Sequence, residues 1–140
     1  MSEKKRILFL CTGNAARSQM AEGLMRAYHG DVFDVFSAGS RPAGWVHPLA
    51  VQALAEIGID ITDQTSKSAA PFINQPFDIV VTVCDSAAQD CPVWPGAKRL
   101  EHWPIEDPSF GIDDPKTRPN RFAETRDELA RRIEELVATA

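Results

Sequence analysis

Cys11 and Arg17 bracket the polar stretch Thr12, Gly13, Asn14, Ala15, Ala16 in "ILFLCTGNAARSQMAEG". A thiolate is a strong nucleophile, and a guanidinium can fork two hydrogen bonds onto a tetrahedral oxyanion. The pair therefore suits attack on a bound phosphate-like ion. The run "RILFL" before the loop reads as a buried strand. "SQMAEGLMRAYHG" after it reads as a helix that Ser18 can cap and Gly30 can end, with Met20, Leu24 and Ala27/Tyr28 on one face. Strand, polar loop and helix N-terminus form a ready anion site, because loop N–H groups converge and the helix dipole favours negative charge. Gly13 and Asn14 tolerate the left-handed backbone that such a cradle needs. Thr12, Gly13, Asn14, Ala15, Ala16 and Arg17 are the expected oxyanion contacts, and Ser18 can donate to the Cys11 sulfur. The motif is not a Walker loop, which lacks a cysteine and ends in Gly-Lys.

The positioning elements follow from periodicity. "FDVFSAG" reads as a second strand, "FDIVVTVC" as a central strand and "AKRLEHW" as a shorter one. "HPLAVQALAEIGI" carries Leu49, Ala53, Leu54 and Ile57 at helical spacing, with Pro48 in its first turn and Gly58 closing it. From about Pro119 the chain is helical, with Leu129, Ile133, Leu136 and Val137 as its apolar stripe. The order β-α-β-α-(β-α)-β-β-α, its bracketed unit left open, predicts one α/β layered domain over residues 1–140. Ligands of such sheets sit beyond the carboxyl ends of the strands. Cys11 and Cys84 each end a strand, so both fall on that edge.

The totals exclude several classes. The chain has 140 residues, 44% hydrophobic and 25% charged, and its net charge of −5 gives no support for a nucleic-acid partner. The N-terminal apolar run is too short for a signal core, and no segment reads as membrane-spanning, so a cytoplasmic protein is expected. Its three cysteines, Cys11, Cys84 and Cys91, form no CxxC pair and no zinc spacing. No metal or bound cofactor is therefore expected. His47 and His102 read as structural, His29 as a partner of a helix C-terminus, and Trp45, Trp94 and Trp103 as packing or loop-anchoring residues. Asp107 is the candidate proton donor, since Pro108 holds it extended. Asp114, before Pro115, is a rival in a less suitable context.

"CTGNAARSQMAEG" resembles the loop of the low-molecular-weight protein tyrosine phosphatases, and more closely that of the thioredoxin-coupled arsenate reductases built on the same fold. "SAGS", "HPLAVQALAEIGIDIT", "DIVVTVCDSAAQDCP", "EHWPIEDP" and "ETRDELARRIEEL" follow in family order. The resemblance implies a three-layer sandwich with a central four-stranded parallel sheet flanked by helices. It implies Cys11 as nucleophile, Arg17 as clamp and Asp107 as acid. It further implies a relay: Cys11 attacks arsenic, Cys84 forms a disulfide with Cys11 as arsenite departs, and Cys91 then takes Cys84 into a disulfide that thioredoxin reduces. Phosphate and sulfate would compete for the cradle, and a weak phosphatase side activity and a monomeric state are expected. Some relatives hold potassium beside the loop, at positions matching Asn14, Glu22 and Ser37. The fourth ligand there is an aspartate, and Lys67 stands in its place, so an ion pair with Glu22 is expected instead. A phosphatase proper, or a non-enzymatic oxyanion or redox sensor, are the rival readings.

Cys84 and Cys91 are seven residues apart. In a straight helix their Cα atoms would lie about 10.5 Å apart, whereas a disulfide needs less than about 7 Å. The spacing therefore predicts redox-linked refolding of residues 82–93 unless that segment is never helical.

Overall fold

The structure is a computed structural model that describes residues 4–84, 96–108 and 118–140. Four strands, β1 (Lys5–Cys11), β2 (Phe33–Gly39), β3 (Ile79–Cys84) and β4 (Arg99–Pro104), form one parallel sheet in the order β2-β1-β3-β4. Helix α1 (Arg17–His29) joins β1 to β2, α2 (Pro48–Ala55) lies between β2 and β3, and α3 (Arg118–Thr139) follows β4. The chain leaves β1 toward β2 on one side and returns to β3 on the other. The carboxyl end of β1 is thus the switch point where open parallel sheets place their ligands.

Side-chain alternation divides the core. Ile7, Phe9, Val35, Ile79, Val81 and Val83 face Met20, Leu24 and Met25 of α1, Leu54 of α2, and Phe122, Leu129 and Ile133 of α3. Leu8, Leu10, Ala38 and Val80 face the other way, onto Ala69 and Phe77. There a 3₁₀ turn at Ala70–Phe72 covers the sheet, with Phe36 packed between Phe72 and Phe77. Because both faces are covered, β1 is apolar at every position from Ile7 to Leu10, and all four are fully buried.

Several local expectations are corrected. The N-cap of α1 is Ala16, with no side-chain cap bond, and Ser18 lies inside the first turn. Ala27 and Tyr28 are exposed, so the buried face of α1 ends at Met25. Helix α2 stops at Ala55, and Ile57 beyond it is 40% exposed. The extra β-α unit is absent from the described residues; the 3₁₀ turn and a single Gly39–Ser68 bridge stand there instead. Gly13 is not left-handed, whereas Asn14, Gly44 and Gly58 are. His47 caps α2, its Nδ1 accepting from the Leu49 N–H at 3.1 Å, with its ring against Phe122. His29 sits in the last turn of α1 and meets Glu134 of α3 at 2.6 Å. Trp103 packs on Phe9, but Trp45 is half exposed. Cys91, Trp94 and Asp114 lie outside the described residues, as does most of the 82–93 segment expected to refold.

Asp78 fixes the start of β3 against β1. Its carboxylate accepts the Arg6 N–H at 2.8 Å, and its own N–H donates to the Arg6 carbonyl at 3.0 Å. The Arg6 hydrogen bond holds its pKa below the ordinary value of 3.8; partial burial opposes this and Lys98 assists it. A depressed carboxylate stabilises the fold above its unfolded pKa, and that contribution fades as pH falls through the folded value. Asp78→Asn should cost about 1 kcal/mol near neutral pH, and the gap to wild type should close below about pH 4. Urea titrations at the two pH values check this; a gap independent of pH would contradict it.

Candidate active site

The loop after β1 is held from outside by its carbonyl groups. Those of Cys11, Thr12 and Gly13 accept from the N–H groups of Ser40, Arg41 and Ala43 at 3.2, 2.9 and 2.8 Å. The Ala15 carbonyl accepts from His47 at 2.8 Å, and that of Ala16 from Met20 at 2.9 Å. Ser66 Oγ adds a second bond to the Gly13 carbonyl at 3.1 Å. With the carbonyl edge engaged outward, the N–H edge is the one left to face a ligand, which is the arrangement of an anion nest. The Ala16 side chain packs in the core, away from that concave edge.

Asn14 makes the turn. It is fully buried and left-handed, with φ 48°. Its N–H donates to Cys11 Sγ at 3.1 Å. The Lys67 N–H, which can only donate, lies 2.7 Å from Asn14 Oδ1 and so fixes the sense of the side-chain amide. Nδ2 then donates to Ser18 Oγ at 2.8 Å and Ser37 Oγ at 3.0 Å. Ser18 therefore accepts from Asn14, and its own hydroxyl proton can point to Cys11 Sγ, 2.8 Å away. The Asn14 N–H and the Ser18 hydroxyl both lie within hydrogen-bond reach of the sulfur, beside the N-terminal end of α1.

Arg17 is held but not saturated. Nη1 donates to the Ile105 carbonyl at 2.8 Å, and Nη2 lies 3.7 Å from Asp107 Oδ2. Its Nε is the one buried side-chain nitrogen or oxygen among the described residues with no hydrogen-bond partner. A buried donor without a partner is costly, and an oxyanion oxygen is the chemistry that would satisfy it. Asp107 comes beside Arg17 from the loop after β4, at the carboxyl edge of the sheet.

Glu22 is nearly fully buried and gathers donors. Ser37 donates a short hydrogen bond to it, Arg26 meets it at 2.7 Å, and the Lys67 ammonium lies 3.7 Å away. Asn14 turns a nitrogen, not an oxygen, toward Ser37. These are donors around one carboxylate, a set that does not fit a potassium ion.

Sequence reasoning missed several supporting residues. Gln19 and Gln64 tie the loop to the 64–67 segment, and the Ile105 carbonyl anchors Arg17. Gly39 is another: a Cβ there would lie 2.6 Å from the Thr12 carbonyl oxygen and 3.0 Å from the Asn14 nitrogen. The only signal in the sequence was the glycine at a strand end, which does not reveal what approaches it. Because those neighbours are backbone, Gly39→Ala should destabilise the protein by about 1–3 kcal/mol. It should also weaken phosphate binding in the cradle. Thermal unfolding with and without phosphate checks both, and wild-type behaviour in both would contradict the close approach.

Comparison with known proteins agrees with this geometry. The family profile of the low molecular weight phosphotyrosine protein phosphatases matches residues 6–140. An arsenate reductase of Halalkalibacterium halodurans is 46% identical over 97% of each chain. A solved arsenate reductase in its phosphate-binding state superposes with a TM-score of 0.78 at 31% identity, over 96% of this chain and 98% of that one. The thioredoxin-dependent arsenate reductase of Corynebacterium glutamicum superposes at 0.76 with 33% identity, over 99% of this chain and 62% of its own. With the loop from Cys11 to Arg17 at the switch point of a four-stranded parallel sheet, the chain belongs to the low molecular weight phosphotyrosine protein phosphatase family.

Proposed function

We propose that this protein is an arsenate reductase that passes two electrons to arsenic through Cys11, Cys84 and Cys91, with thioredoxin as the electron donor. The observation that carries the reading is the pairing of β1 with β3. Leu10 pairs with Thr82, so Cys84 falls one residue beyond the register position of Cys11. With strands about 4.8 Å apart and a rise of about 3.3 Å per residue, the two Cα atoms are about 6 Å apart. A disulfide accepts that separation. Relatives named arsenate reductase at 43–46% identity support the substrate.

Arsenate binds on the loop N–H groups and Arg17. The Cys11 thiolate attacks arsenic while Asp107 gives a proton to the departing oxygen, which leaves as water. The Cys84 thiolate then attacks Cys11 sulfur. The sulfur–arsenic bond breaks with its electron pair left on arsenic, so As(V) becomes As(III) as a Cys11–Cys84 disulfide forms. Cys91 attacks Cys84, releases Cys11 as thiolate, and leaves a Cys84–Cys91 disulfide for thioredoxin. Working thiols of this kind suit a reducing compartment, in keeping with a cytoplasmic setting.

The same cradle accepts phosphate, and hydrolysis needs only Cys11, Arg17 and Asp107. A phosphatase is therefore the second reading, favoured by the closeness of Arg17 and Asp107. NADPH consumption with thioredoxin, its reductase and arsenate separates the two. Cys84→Ser and Cys91→Ser should each fall to background in that assay yet keep hydrolysis of para-nitrophenyl phosphate, and Cys11→Ser should lose both. Arsenate turnover that survives in Cys84→Ser or Cys91→Ser would overturn the relay. No arsenate turnover in wild type, with the ester still hydrolysed, would leave the phosphatase; loss of both activities would leave a sensor.

Lys67 beside Glu22 supplies the positive charge that potassium supplies in some relatives. Replacing sodium by potassium at constant ionic strength should leave arsenate turnover unchanged within about twofold, as screening by the two salts is the same. Strong activation specific to potassium would show that Lys67 does not serve in place of the ion.

A further inference from the structure

Gln19 is fully buried in the first turn of α1, two residues past Arg17, and the chemistry above leaves it unused. Backbone groups fix the sense of its amide. Its Nε2 lies 2.9 Å from the Asn14 carbonyl and 2.9 Å from the Thr65 carbonyl, and both can only accept. The same nitrogen lies 3.0 Å from Asn14 Oδ1. Behind it, Gln64 Nε2 donates to Gln19 Oε1 at 2.8 Å and to the Gln19 carbonyl at 3.0 Å. Gln19 thus grips Asn14 at both of its oxygens, one on the backbone and one on the side chain.

Those two oxygens set where Asn14 sends its donors. The left-handed backbone of Asn14 costs about 1–2 kcal/mol and persists only where neighbours hold it. Its carbonyl bond to Gln19 holds that backbone turn, which aims the Asn14 N–H at Cys11 Sγ. Its Oδ1 bonds to Gln19 and Lys67 keep Nδ2 on Ser18, so that the Ser18 hydroxyl is left to donate to the sulfur.

We propose that Gln19 is a positioning residue for the Cys11 nucleophile, holding Asn14 so that two hydrogen-bond donors stay on the sulfur. The proposal rests on Cys11 being the nucleophile, and not on which oxyanion it attacks. Charged side chains of the surrounding elements, among the described residues, include Arg17, Glu22 and Arg26 of α1, Arg41 after β2, Lys67 of the 64–67 segment and Asp107 after β4. A substitution at Gln19 removes none of them.

The test is the rate of Cys11 alkylation by iodoacetamide across pH. The parent protein carries Cys84→Ser and Cys91→Ser, so that Cys11 is its only thiol. Gln19→Met keeps the bulk of the side chain and removes its donors. Gln19→Glu keeps its size but turns a carboxylate onto three oxygens. Both should slow alkylation at pH 7 roughly tenfold, as expected for losing a hydrogen bond to a charged group. The rates should converge with the parent's at alkaline pH, where the thiol is ionised in every variant. A role in packing alone predicts parent-like Gln19→Met, which keeps the bulk and adds no charge, and that result would overturn the proposal. Equal slowing at every pH would overturn it too, as the mark of a general loss of fold. Should neither variant fold, Gln64→Met removes the donor behind Gln19 from a part-buried position. It should slow alkylation at pH 7 severalfold with the same convergence, and an unchanged rate would overturn the proposal. Alkylation needs neither arsenate nor thioredoxin, so failure of the reductase reading would leave this result standing, and the reverse also holds.

Discussion

One buried amide, that of Asn14, joins the two halves of the site. Through its backbone N–H it reaches the Cys11 sulfur, and through Nδ2 it reaches Ser18 and Ser37. Ser37 leads on to Glu22, where Arg26 and Lys67 balance a buried carboxylate. The direction of every bond in this chain is set by groups that can only donate or only accept: the Lys67 N–H at one end and the Glu22 carboxylate at the other. A buried network of this kind is stable only when each member is satisfied. Glu22 keeps three such donors, whereas the Asn14 turn depends on its own few partners.

The sheet makes that network possible. Among the described residues, β1 is the only strand with neighbours on both sides that lead the chain in opposite directions, so its carboxyl end opens into a crevice. Gly39, at the end of β2, lets the loop lie against the neighbouring strand without a side chain between them. From the far edge, the segment after β4 brings the Ile105 carbonyl and Asp107 onto Arg17. Three separate stretches of chain thus converge on the loop from Cys11 to Arg17.

The strands and the loop between β1 and α1 were legible in the sequence because each depends on residues close together in the chain. A continuous apolar run marked β1, and Gly, Asn and Ser marked the turn. Less legible were features set by distant partners. Ser18 looks like a cap because serine caps helices, but its hydroxyl lies between the Asn14 amide and the Cys11 sulfur. Tyr28 falls on the apparent apolar face of α1, yet the buried face ends at Met25. Gln19 gave no periodic signal at all, since its partners Gln64 and Thr65 lie some 45 residues away. Lys67 was legible only through resemblance, as a charge change at a position whose neighbours come from α1 and β2.

The proposed reductase and a phosphatase on the same scaffold share the first attack and diverge at the second step. A phosphoryl group leaves by hydrolysis, whereas arsenic must accept an electron pair, and a second thiol close to the first can release that pair from the sulfur–arsenic bond. The alignment of β1 with β3 meets that requirement at the level of the backbone. The most direct measurement is a single turnover: reduced protein mixed with one equivalent of arsenate and no thioredoxin, quenched with acid, alkylated and mapped by mass spectrometry. The account predicts one arsenite per protein, Cys11 alkylated, and Cys84 linked to Cys91. Fully alkylated cysteines with arsenate unchanged would contradict it.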